Sequence, residues 1–113
     1  MKYEQWELDI ASKYPLLYVD FGGPMDQTCM HWGFACGEEY KDLIVSISEK
    51  LEPMIAEYIK SNPDKPVPRC AQVKTKFNWF CFYMNSATPE MHDAINGLVE
   101  DWNEITNIMA DRP

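Results

Sequence analysis

The chain has 113 residues, 46% of them hydrophobic and 13% aromatic, enough for one packed domain and too few for two. Ten basic residues against 18 acidic ones give a formal charge of −8, which excludes nonspecific binding to nucleic acid, where Lys and Arg must neutralise phosphates. The longest apolar runs, such as 16–19 and 79–84, fall well short of a membrane span, so no membrane contact is expected.

The first segment, 3–13, places Tyr3, Trp6, Ile10 and Ala11 at helical spacing before Pro15, and predicts a short helix. It has no apolar export core, which leads to the expectation of a protein that stays in the cytoplasm and keeps Cys29, Cys36, Cys70 and Cys81 as free thiols. Residues 14–19 read as an extended segment. The stretch 20–37 carries three glycines in Gly22, Gly23 and Gly33 before Gly37. Its large side chains, Met25, Met30, Trp32 and Phe34, predict a loop that packs down rather than one that is solvated.

From 38 to 61 the apolar residues Tyr40, Leu43, Ile44, Ile47, Leu51, Met54, Ile55 and Tyr58 recur in steps of three and four, the mark of an amphipathic helix. Glu38, Glu39 and Asp42 occupy its first turn, where carboxylates complement the helix dipole. Pro53 lacks an N–H and predicts a kink or break. The proline-rich 62–68 is a short connector.

Residues 72–77 alternate polar with apolar, and 80–84 form a second strand. A two-residue turn at Asn78-Trp79 sets Phe77 opposite Phe80, Thr75 opposite Phe82 and Val73 opposite Met84, and puts Trp79 at an exposed hairpin tip. Thr88 then serves as N-cap and Pro89 as the first residue of a helix over 89–110, whose stripe is Met91, Ala94, Ile95, Leu98, Trp102, Ile105 and Met109. Gly97, costly in a helix interior, marks a close packing point in this reading. The fold expected is α+β: a two-layer sandwich of a short antiparallel sheet, with its hairpin at about 70–85, under two long helices and a short N-terminal one, in a single domain spanning 1–113.

Tyr14-Pro15-Leu16-Leu17-Tyr18, then Trp32-Gly33-Phe34-Ala35-Cys36-Gly37, then Ala71-Gln72-Val73-Lys74-Thr75-Lys76-Phe77 with Phe82-Tyr83 resembles, in that order, a set of small phage and prophage proteins of unassigned function. The chain departs from that pattern where Asn78-Trp79 replaces a glycine turn, Cys81 an arginine and His31 a cysteine. The resemblance implies a phage origin and a fold, and no activity.

No pattern for catalysis stands out. Glu38-Glu39 and Glu100-Asp101 are sequence neighbours that point apart on a helix, and Gly22-Gly23 is a turn rather than a phosphate loop. Charge layout carries more. Lys60, Lys65, Arg69, Lys74 and Lys76 form a basic stretch, whereas no Lys or Arg occurs between Pro89 and Asp111.

The expected function is therefore that of a viral, non-enzymatic inhibitor made in the cytoplasm of an infected bacterium. Its partner is a host defence protein with a basic nucleic-acid-binding surface, with anti-CRISPR action as the concrete form. The expected contact residues are Glu38, Glu39, Asp42, Trp79, Glu100, Asp101 and Glu104, with no cofactor. The alternative is a zinc- or small-ligand-binding accessory protein whose ligands are Cys29, His31 and Cys36, by analogy with thiolate and imidazole zinc sites. An exposed hairpin face carrying Tyr83 also leaves a homodimer open.

Overall fold

The computed structural model describes residues 3–77 and 79–110, with side chains through Ile105; Asn78, the side chain of Met109 and Asp111 lie outside the described residues. The elements run α1 (Gln5–Lys13), a 3-10 turn (Cys29–Trp32), β1 (Phe34–Ala35), a second 3-10 turn (Glu38–Tyr40), α2 (Lys41–Ser61), β2 (Arg69–Lys76), β3 (Trp79–Asn85) and α3 (Pro89–Ala110). The fold is α+β. Among the described residues, no helix is long and apolar enough to cross a membrane.

The sheet is mixed rather than antiparallel. Its order is β1-β2-β3, and the packed loop supplies a third strand in which Phe34 pairs in parallel with Val73 and Ala35 with Lys74. Segment 14–19 is also not extended. Tyr18 N–H donates to the Tyr14 carbonyl and Phe21 N–H to the Tyr18 carbonyl, so the chain coils in successive turns. That coiling buries Tyr14, Leu17 and Tyr18 together, which an alternating strand would not do.

The hairpin forms in a different register from the one predicted. Thr75 lies opposite Phe80, Val73 opposite Phe82, Cys70 opposite Met84 and Lys76 opposite Trp79, a displacement of two residues. Phe77 therefore leaves the strand for the turn, at φ +52° and 93% exposed. Because side chains alternate with period two, the displacement keeps Val73, Phe80 and Phe82 on the buried face and Lys76, Trp79 and Tyr83 on the open one. A bulge between Cys70 and Gln72 lets Cys70 and Val73 both be fully buried, although they are an odd number of positions apart.

Helix α2 runs through Pro53 without a break. At the start of α3 the Met91 N–H donates to the Thr88 side-chain oxygen at 3.2 Å, and the helix begins at Pro89 as the sequence predicts. Gly97 is exposed with nothing among the described residues near a Cβ placed there, so it marks no packing point. Ile105, on the predicted stripe, is 57% exposed.

Leu17, Met30, Ile44, Ile47, Leu51, Ile55, Val73 and Met91 make the centre of the core. Tyr40 bridges the layers by stacking on Phe80, with ring centroids 5.4 Å apart, and lying 6.2 Å from Trp102. Inside the core Ser48 donates to the Ile44 carbonyl, which leaves the Tyr18 hydroxyl to donate to Ser48 Oγ at 2.6 Å.

Candidate functional site

The glycine-rich loop is a built structure, and its chemistry is spent on holding itself in place. The Thr28 hydroxyl accepts the Met30 N–H at 3.1 Å and starts the 3-10 turn that drives Met30 into the core. His31 Nδ1 is 2.8 Å from the Gly23 carbonyl. A carbonyl only accepts, so Nδ1 carries the proton and donates. The Tyr3 hydroxyl closes the other side by donating to the His31 carbonyl at 2.5 Å.

Cys29 is exposed and Cys36 half-buried. Among the described residues, no three His, Cys, Asp or Glu side chains gather as a metal ion would require, so the structure does not bring Cys29, His31 and Cys36 into a ligand set.

The thiols differ sharply in environment. Burial, then the nearby Glu39 and Glu7 carboxylates, push the Cys36 thiol up to about 12, and burial also raises that of fully buried Cys70. A protonated thiol is a poor nucleophile and a poor zinc ligand. At pH 8 iodoacetamide is expected to label Cys29 first, Cys36 at least about a hundredfold more slowly, and Cys70 only on unfolding. Peptide mapping of the alkylated protein reads the order, and early labelling of Cys36 would contradict its environment. A folded pKa above the unfolded value contributes stability below about pH 9 that is lost as pH rises towards about 12.

The acidic candidates divide among three places. Glu38 and Glu39 lie in the 3-10 turn before α2, and the Glu39 carboxylate folds over Gly37, where any Cβ would collide with it. Asp42 in the first turn of α2 and Asp101 on α3 line one cleft, floored by Leu43, Leu98 and Trp102. Glu100 lines a different cleft on the opposite flank of α3, shared with Trp79 and Tyr83. Glu104 is exposed, and Trp79 is 59% exposed on the open face of the sheet.

Among the described residues, no ion pair neutralises the acids of α3. The one ion pair among them is that of Arg69 with Asp20 at 3.2 Å, so the described part of the basic stretch makes no ion pair with the last helix.

The sequence gives less warning of the groove beside these acids. The C-terminal half of α2 and the first turn of α3 enclose about 650 Å³ lined by Pro53, Met54, Tyr58, Thr88 and Met91, with Glu49, Glu57 and Glu90 among its walls. It continues past Ser46, Ala94 and Leu98 into the Asp42–Asp101 cleft, which shows that α2 and α3 run antiparallel. The available signal was two adjacent rows on α2, Glu49-Pro53-Glu57 beside Lys50-Met54-Tyr58, each at four-residue spacing.

No protein-family model, no curated protein and no solved structure matches the chain at a significant level.

Proposed function

We propose that the chain is a non-enzymatic binding protein that docks through its acidic helical surface onto a basic surface of another protein, of the kind that otherwise holds nucleic acid. The observation that carries this reading is the meeting of Asp42 and Asp101, far apart in sequence, in one cleft whose acids have no ion-pair partner among the described residues. Unpaired carboxylates on a rigid helix pair steer a positively charged partner and hold it in a fixed orientation. Exposed Trp79, beside Glu100, supplies an aromatic anchor at the edge of the same helix. The resemblance to small phage proteins gives the partner a class, a host defence protein in the cytoplasm of an infected bacterium, and makes anti-CRISPR inhibition the concrete form of the activity.

The test is a triple variant, Glu100→Lys, Asp101→Lys and Glu104→Lys, compared with the parent in affinity capture from a lysate containing defence complexes. All three side chains are exposed, so the melting temperature should hold. Reversing three steering charges, each worth about 1 kcal/mol at an interface rim, should weaken binding by about a hundredfold or more. The captured complex should also leave the parent protein at moderate salt. Retention of the same partner by the triple variant would refute the reading.

A further inference from the structure

We propose that the groove between α2 and α3 receives an amphipathic helix of the partner, apolar on one face and lysine- or arginine-rich along both edges. This deepens the reading above and rests on it only for the partner being a protein.

The groove follows the seam from Asn62 and Thr88 at one end to Trp102 and Ile105 at the other. Twenty residues of α2, 42–61, flank it, which at 1.5 Å per residue is about 30 Å, the length of a helix of about 20 residues. Its floor is apolar: Met54, Tyr58, Met91 and Leu98 are all partly or wholly withdrawn from solvent yet line the open channel. Methionines and an aromatic ring make a floor that adapts to the side chains laid on it.

Both walls are helices. An extended peptide would find no strand edge there and would leave its backbone unsatisfied over apolar side chains, whereas a helix brings its hydrogen bonds with it.

Charge names the edges of that helix. Asp42, Glu49 and Glu57 stand on the α2 side and Glu90 and Asp101 on the α3 side, with Lys50 the one cation among the lining residues. The same rim repels an anionic lipid surface.

The probe is a synthetic 18-residue peptide with leucine at helical spacing on one face and lysine elsewhere, titrated into the protein carrying carbon-13 methionine methyls. Met54 and Met91 report the groove, while Met25 and Met30 sit in the glycine-rich loop region and serve as references. The Met54 and Met91 signals should shift with saturation while Met25 and Met30 hold still. A Glu57→Lys, Glu90→Lys variant, changed only at exposed positions, should bind at least about tenfold more weakly.

Unmoved Met54 and Met91 signals would overturn the proposal. So would equal binding of a scrambled peptide of the same composition, or of one with glutamate in place of lysine. Shifts on concentrating the protein alone would mean that a second copy fills the groove, and would overturn it too. The two readings fail separately: a silent groove with partner loss in the triple variant removes only the helix, and a working groove with partner retention removes only the acidic docking surface, because the peptide titration reads the groove in the parent protein, whose Asp101 edge is intact.

Discussion

Replacing Glu7 with alanine is expected to lower the unfolding free energy by about 2 to 4 kcal/mol, a large share of what a domain of this size possesses. Glu7 is only 8% exposed. One oxygen accepts the Phe34 N–H at 2.9 Å, and the other accepts the Glu4 N–H at 2.8 Å to complete a capping box at the start of α1. The first contact crosses from α1 to β1 and orients Phe34, whose ring lies 5.6 Å from Trp6 and 5.1 Å edge-on to Tyr18. Without the carboxylate the Phe34 N–H is buried with no acceptor, a penalty of about 1 to 3 kcal/mol, and loss of the cap adds about 1 kcal/mol. Glu7→Gln keeps one acceptor and should lose about half as much. Urea denaturation measures all three proteins. A loss below about 1 kcal/mol for the alanine variant would show that the contact does not hold β1 in place.

What the sequence makes legible here follows from which physical constraints are local. Helix α3 could be read to its first residue because Thr88, Pro89 and the apolar stripe each specify the same start within one turn of chain. The two faces of the hairpin were legible for the same reason, but its register was not. A shift of two residues leaves every side chain on its own face, so the pattern of polar and apolar residues cannot separate the two alignments. The choice falls to the turn, where the chain accepts an exposed Phe77 at positive φ in order to bring Trp79 opposite Lys76.

β1 was illegible because a two-residue parallel strand has no period, and its place beside β2 is fixed by tertiary contacts such as that of Glu7 with Phe34. The site behaves in the same way. Each acidic residue could be found in the sequence, yet that Asp42 faces Asp101 while Glu100 turns to Trp79 is decided by the antiparallel packing of α2 on α3. Met54 and Tyr58 lie on the apolar stripe of α2 and pack, partly buried, against the core. They also line the groove beside the first turn of α3.

Glu52→Ala should cost about 2 to 3 kcal/mol, although alanine is the better helix former and α2 itself should gain slightly. The Glu52 carboxylate, half-way along α2, accepts the Leu16 N–H at 3.0 Å through one oxygen and the Leu17 N–H at 2.9 Å through the other. Leu17 is fully buried, and its carbonyl in turn accepts the Cys70 N–H at 2.9 Å. One side chain thus ties α2 through the coiled 14–18 segment to the first residues of β2. Removing it strands two N–H donors at once, and hydrogen exchange should speed up at Leu16, Leu17 and Cys70 before it does in the centre of α3. Glu52→Gln, which can accept at one position only, should lose about 1 kcal/mol.

Glu52 neighbours Pro53 but is absent from the groove lining, so peptide binding measured well below the melting temperature should be unchanged. A loss of affinity in Glu52→Ala would mean that the groove depends on the 14–18 segment being docked. The contrast also qualifies the charge of −8. Glu7 and Glu52 are held by backbone N–H groups, whereas the exposed Asp42 and Asp101 face the cleft between α2 and α3.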